Sequence, residues 1–218
     1  MKKRIITAIT LLLLLTTYKP EKLPSESVFN INEIKIENNF ILKDEDIKKE
    51  LIFLYKKNLF FLNYTSIKII LKNLDFIESF ELKKSYPNTI TIKIFEKTPI
   101  AILHHKNKKF YIDKNIDLIG YTNLDNYSDL PLIFGNKKDF KVLYENLENI
   151  NFPLNLIKKY YFLESNRWNL ETYEKNIIKL PSKNYTESLQ NFLKLKNRNN
   201  FDKHRIFDYR INNQLILK

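Results

Sequence analysis

From Thr89 to Phe95 the chain reads Thr-Ile-Thr-Ile-Lys-Ile-Phe, with Ile90, Ile92 and Ile94 on one side and Thr91 and Lys93 on the other. That period of two predicts a half-buried strand. Upstream, FNINEIKIENNFIL reads as a strand broken by an Asn38-Asn39 turn. Asp44 is the expected N-cap of a helix with Glu45 and Asp46 in its first turn, where the helix dipole favours acids. Ile47, Leu51, Leu54 and Tyr55 form its apolar stripe, and Ile67, Ile70, Leu71 and Leu74 form that of a second helix starting near Thr65. Two strands, 79–84 and 89–95, meet through Tyr86-Pro87-Asn88. Strand, helix, helix, strand, strand is a complete small α+β domain.

Beyond Pro99 the pattern is β with two inserted helices. KKFYIDKNIDLI predicts two strands around Asp113-Lys114-Asn115, and LPLIF a short third. Asp139 is the expected cap of a helix carrying Leu143, Leu147 and Ile150. KYYFLE, RWNLETY and NIIKLP read as strands, and Asn184 with Glu187 has capping-box spacing before Leu189, Phe192 and Leu193. The last two strands are RIFDYR and QLILK, joined at Asn212-Asn213. The expected class is α+β with a mostly antiparallel sheet in the larger domain.

The start is different in kind. Lys2, Lys3 and Arg4 precede an uncharged run from Ile5 to Tyr18. Fourteen helical residues span only ~21 Å of a ~30 Å hydrocarbon core. Snorkelling by Arg4 and Lys19 lengthens that reach, and the first weak small-x-small cleavage site, Ser25-Glu26-Ser27, lies far downstream of the run. The expectation is therefore a cytoplasmic tail at 1–4, an uncleaved transmembrane anchor at 5–18 and a linker at 19–27. The positive-inside rule puts the bulk of the chain outside the cytoplasm.

Composition excludes more than it indicates. With no cysteine there is neither a disulfide framework nor a thiolate metal site. Two glycines leave no phosphate-cradling loop. The net charge of +12 is spread among acids without a dense patch, so no nucleic-acid partner is expected. His104 and His105 are neighbours on a strand and point to opposite faces, a poor metal pair, and His204 stands alone. Glu96 reads as an acid paired at a strand end, and Trp168 as a core residue. No acid, base and oxyanion donors converge, so the reading is a non-enzyme without cofactor or metal.

The order of three segments carries a resemblance. YPNTITIKIFEKTPIAIL running into FYIDKNIDLI, then RWNLETYEKNIIKLP, then IFDYRINNQLILK, resembles the bacterial cell-division family FtsQ/DivIB. In that family a membrane anchor precedes a POTRA domain, whose last strand passes through a Glu-x-x-Pro-x-Ala segment into a β domain. Glu96, Pro99 and Ala101 match that segment and would form the interdomain joint, with the POTRA domain at 28–101 and the β domain at 102–218. The resemblance implies a single-pass inner-membrane scaffold of the division septum, with its bulk in the periplasm. It implies as partners the FtsB–FtsL pair, with FtsB adding a strand at the C-terminal edge on Tyr209, Arg210, Gln214, Leu215, Ile216, Leu217 and Lys218. It also implies recruitment through the last POTRA strand, at Thr89, Thr91, Lys93 and Phe95, which would involve FtsK and septal wall-synthesis proteins. A POTRA module of an outer-membrane assembly or secretion system is the alternative, but such proteins continue into a membrane barrel of ~10-residue strands.

Overall fold

The structure, a computed structural model, describes residues 2–17, 27–196, 203–211 and 214–218. Helix α1 runs Lys2–Thr17, about 24 Å at 1.5 Å per residue. Among the described residues no helix is long and apolar enough to cross a membrane. The Asn212-Asn213 turn lies outside the described residues. The chain divides into two compact units, Met1–Asn73 with Ser79–Phe95, and Leu74–Glu78 with Glu96–Lys218.

In the first unit β1 (Glu33–Glu37), β2 (Ile77–Ser85) and β3 (Thr89–Glu96) form a sheet in the order β1-β3-β2. β1 runs parallel to β3, with Ile34 beside Ile90 and Ile36 beside Ile92. Ile90, Ile92 and Ile94 are completely buried, as their alternation predicts. Helices α2 (Asp44–Glu50) and α3 (Tyr64–Lys72) add Ile47, Ile67 and Leu71 to that core. Asp44 is not the N-cap of α2. Lys43 occupies that position, while Asp44 is the first helical residue and its Oδ1 accepts from Asn39 Nδ2 at 2.8 Å. α2 is also shorter than its stripe predicts, and a 3₁₀ turn at Ile52–Leu54 carries the buried Leu54. Asn63 caps α3 by accepting from the Thr65 amide at 2.9 Å.

The second unit is built on a nine-stranded sheet in the order β12-β11-β10-β9-β8-β7-β4-β5-β6. Its strands are β4 (Pro99–His105), β5 (Lys108–Asp113), β6 (Leu118–Gly120), β7 (Leu132–Phe134) and β8 (Ile157–Leu163), then β9 (Arg167–Thr172), β10 (Ile177–Lys179), β11 (Ile206–Asp208) and β12 (Ile216–Leu217). Helix α4 (Lys137–Asn149) connects β7 to β8, and α5 (Tyr185–Lys196) connects β10 to β11. Both connections join parallel neighbours, as a helical crossover must, and β4 also runs parallel to β7. The other five ladders are antiparallel. Phe140, Leu143 and Leu147 of α4 and Leu189 and Phe192 of α5 belong to one buried cluster with Leu103, Ile133, Tyr160, Leu170 and Phe207 of the sheet. Trp168, 5% exposed, packs in the same cluster, edge-on to Phe140 at 6.4 Å.

Asn136, not Asp139, caps α4: its side chain accepts from the Asp139 amide at 3.0 Å. Asn184 takes φ 55°, a left-handed conformation unlike the extended one that a capping box needs. The division between the units falls at Phe95 and Glu96, not between 101 and 102, because β4 starts at Pro99 and Ala101 packs in the second unit's own core, 1% exposed. Ala101→Glu should therefore unfold the β unit. A carboxylate left unpaired there costs about 3–5 kcal/mol. Denaturant unfolding followed by the fluorescence of Trp168 should show that loss, with Ala101→Ser close to wild type.

Candidate functional site: the C-terminal sheet edge

An open sheet has two ends, and here they differ. At the β6 end, Tyr111 faces Ile119 and Asp113 bonds Asp117 across the hairpin, the Asp113 amide donating to the Asp117 carbonyl at 3.1 Å. Antiparallel pairs alternate between bonded and non-bonded residues, so Gly120, opposite Phe110, points its N–H away from β5. That amide donates to Asp75 Oδ2 at 3.1 Å. A carboxylate on an edge donor blocks another chain from pairing there.

At the β12 end the same alternation gives the opposite result. Ile206 and Lys218 exchange both backbone bonds, the Ile206 amide donating to Lys218 at 2.9 Å and the Lys218 amide donating back at 3.1 Å. Phe207 faces Leu217 and Asp208 faces Ile216. Leu217, between the bonded residues, therefore aims its N–H and C=O outward, away from β11. Among the described residues no strand lies on that outer side. The edge strand is apolar on both faces: Ile216 and Leu217, on opposite sides, are 38% and 39% exposed, while Leu215 packs in part against the core cluster. Gln214 and Lys218 are exposed.

Two of the expected contact residues sit differently from the sequence reading. Tyr209 is 7% exposed and its hydroxyl donates to Asn191 Oδ1 of α5 at 3.1 Å. Burial raises its pKa, and the ring ties α5 to the end of β11. Arg210, expected among the partner contacts, already grips Asp208. Its Nε donates to both carboxylate oxygens, at 2.7 and 3.0 Å, its Nη2 donates to Oδ2, and its backbone amide donates to Oδ1 at 3.1 Å. Those bonds hold the Asp208 carboxyl below the usual carboxylate range and raise the guanidinium. Beside the edge, Pro181, Glu187, Asn191, Ile211 and Leu215 line a groove of about 440 Å³. Nothing in the periodicity of α5 marked Asn191 as a neighbour of Tyr209, since the contact joins residues 18 apart.

The remaining expected residues lie elsewhere. β3 is the inner strand of its sheet, so Thr89, Thr91, Lys93 and Phe95 have no backbone edge to offer and present only side chains on the face opposite Ile90, Ile92 and Ile94. Thr89 donates to Glu33 at 3.1 Å, and Lys93 stands 5.3 Å above the Phe95 ring. Glu96 is half-buried and Pro99 buried at the start of β4. His104 lies against Phe134 at 5.0 Å with its pKa lowered by burial and then by Lys109, while His105 Nδ1 is 3.0 Å from the Gly135 carbonyl. The two rings are not gathered at one point, and among the described residues no group of three potential ligands could hold a metal.

A small three-stranded αβ unit followed by a large mixed sheet with one blocked and one open edge defines a POTRA-plus-β-domain protein. The family model for the FtsQ-type POTRA domain matches residues 29–97, and that for the FtsQ/DivIB C-terminal domain matches 101–210. The chain belongs to the FtsQ/DivIB family of bacterial cell division proteins. It is similar to the cell division protein DivIB of Clostridium tetani, 30% identical over 72% of this chain and 58% of that one. It is similar to FtsQ of Rickettsia bellii, 29% identical over 76% and 62%. It thus spans about six-tenths of the length of these curated relatives, which are named as cell division proteins and not as enzymes. A solved extracytoplasmic domain of DivIB from Geobacillus stearothermophilus aligns at 13% identity with a TM-score of 0.32, over 44% of this chain and 87% of that one. That likeness is too low to add to the family match. The matched C-terminal domain stops at residue 210, so Gln214 to Lys218 rest on their geometry alone.

The Asp208–Arg210 clamp has a pH signature. A carboxyl whose native pKa is depressed stabilises the fold fully above the unfolded value, near 3.9, and progressively less as pH falls towards the native one. Hydrogen exchange at the Ile206 and Phe207 amides should accelerate selectively below about pH 4. In Asp208→Asn that acid-range step should be absent.

Proposed function

We propose that the chain is a membrane-anchored, non-enzymatic scaffold of the division machinery that captures a partner strand on β12. The observation that carries this reading is the outward-facing backbone of Leu217 on an apolar edge, contrasted with the Asp75 carboxylate at the other end of the sheet. An added strand gains ladder bonds from the backbone and its register from alternate side-chain contacts. The partner proposed is FtsB, in its complex with FtsL, a reading that the resemblance to the family supports. Gln214, Leu215, Ile216, Leu217 and Lys218 supply the edge, while Tyr209 and Arg210 act mainly by fixing it in place. The POTRA face at Thr89, Thr91, Lys93 and Phe95 serves upstream recruitment by side chains, with FtsK and the wall-synthesis proteins as partners. The anchor is α1, with Lys2, Lys3 and Arg4 in the cytoplasm and the chain from the linker onward in the periplasm, at the septum.

Leu217→Pro removes the outward donor while leaving the Ile206–Lys218 bonds, which use other residues. We expect this variant to stay folded and to lose FtsB–FtsL binding by at least tenfold, a loss of about 1.4 kcal/mol. Unchanged affinity in a titration by calorimetry would sink the strand-addition mechanism. Arg210→Glu is a poorer test, because it sets a second carboxylate beside Asp208 and loosens the hairpin itself. Arg210→Gln is the better variant.

A separate outcome tests the anchor. A reporter enzyme that works only outside the cytoplasm, fused after Lys218, should be active, and the protein should resist alkaline carbonate extraction from membranes. Release into the soluble fraction would overturn the anchor.

A further inference from the structure

The first unit exposes a cluster of rings that its core does not use. Phe29 and Phe60 meet edge-on at 4.7 Å, Phe60 and Tyr86 lie 4.9 Å apart, and Phe29 and Tyr86 6.5 Å apart. Yet Phe60 is 52% exposed and Tyr86 55%, and the flanking Val28 and Phe61 are 62% and 86% exposed. The Leu59 amide donates to the Phe29 carbonyl at 2.8 Å, which holds 28–29 and 59–61 side by side. Contiguous exposed apolar groups of this kind mark an interaction surface.

Cations accompany these rings. Lys84 Nζ donates to the Phe60 carbonyl at 3.3 Å, and Lys56 and Lys57 are exposed on the segment that bonds to Ile31. Glu33 on the adjoining β1 is engaged by Lys35 at 3.7 Å and by Thr89. Aromatic rings interleaved with lysines match the chemistry of a bilayer interface, where rings settle at headgroup depth and cations meet anionic lipid.

The position of the cluster in the chain selects the same occupant. Its first residue is Val28, and only residues 18–26 separate α1 from Ser27. Ten residue-to-residue steps reach at most ~35 Å, so a chain anchored by α1 keeps this cluster beside the bilayer. At that effective concentration even a weak interfacial contact is populated.

We infer that Phe29, Phe60, Phe61 and Tyr86, with Lys56, Lys57 and Lys84, form a lipid-docking patch that lays the POTRA unit on the anionic bilayer holding its own anchor. This rests on the anchor reading given above. Each cation close to the surface is worth about 1 kcal/mol against an anionic leaflet, and the rings add apolar burial. Docking fixes which face of the POTRA unit remains open to other proteins.

Because the chain has no cysteine, one introduced cysteine gives one label. The full chain, spin-labelled at Phe61→Cys, is placed in nanodiscs containing phosphatidylglycerol or in discs of phosphatidylcholine alone. Collision accessibility to oxygen against a water-soluble nickel chelate reads the depth of the label. A Glu45→Cys label serves as the aqueous control, since Glu45 is an exposed residue of α2 and not part of the ring cluster. The expected result is an oxygen-to-nickel ratio at 61 several-fold above that at 45 in anionic discs. It should fall in neutral discs and in the Lys56→Glu, Lys57→Glu, Lys84→Glu background. Equal ratios at 61 and 45 in anionic discs would overturn the proposal, as would burial of the 61 label only after a partner protein is added. Carbonate extraction of the same samples reads the anchor separately: extractable protein whose 61 label still inserts into anionic lipid would remove the anchor reading and keep the patch.

Discussion

A strand inside a sheet must pair every backbone N–H and C=O it carries, and that requirement organises the larger unit from β4 outward. β4 pairs with β5 on one side and β7 on the other, so it can end neither side of the sheet. Growth continues through a hairpin to β6 and through two helical crossovers to β12. Each end then leaves a row of outward backbone groups. Asp75 takes the Gly120 donor at one end, and nothing among the described residues takes that of Leu217 at the other. The two ends have unequal availability because one carboxylate from the 74–78 segment reaches only one of them.

The crossovers also decide where the core sits. β7-α4-β8 and β10-α5-β11 advance across the sheet in the same sense between parallel strands. Crossovers of this kind are right-handed, so both helices fall on one face. That is why Phe140 and Phe192, from different helices, share one buried cluster. Close contacts fix how β7, β8 and α4 fit together. Phe140 meets Tyr160 edge-on at 5.4 Å, and a Cβ on Gly135 would come within 2.9 Å of the Phe162 Cβ. One of the chain's two glycines is thus explained by the close approach of β7 to β8, without any need for an unusual φ.

The sequence revealed the elements better than their neighbours. Alternation of isoleucines in 90–94 found the buried face of β3, and the apolar spacing of Leu143 and Leu147 found that of α4. Both signals are local and carried by side chains. Caps were misassigned by one to three residues: Lys43, without a side-chain cap bond, precedes Asp44 at α2, and Asn136 precedes Asp139 at α4. The inner place of β3 was not legible, since its neighbour β1 lies more than fifty residues away in the chain. Parallel pairing was partly available: a helix between consecutive strands already implies it, and KVLYENL between LIF and KYYFLE is such a case. At the edge, β12 could be recognised as the last strand, but the grip of Arg210 on Asp208 could not. An i, i+2 pair on a strand turns inward only because the chain leaves β11 directly after Asp208.

On the proposed strand-capture function, that grip bears on how firmly the edge holds a partner. β12 contributes two paired residues; it is further held by the bonds Lys218 exchanges with Ile206, by the Arg205 amide donating to the Lys218 carbonyl at 2.7 Å, and by the partly buried Leu215. So short a terminal strand has few buried contacts and opens locally with little free energy. A partner strand that must first order its template loses affinity to that ordering. Asp208 and Arg210 oppose this loss by closing the end of β11 through charged hydrogen bonds, and Tyr209 does so by tying the same turn to Asn191 of α5. The contacts that look like binding groups in the sequence thus act one step back from the edge. They preorganise Leu215 to Lys218, whose own backbone has little else to hold it in an extended conformation.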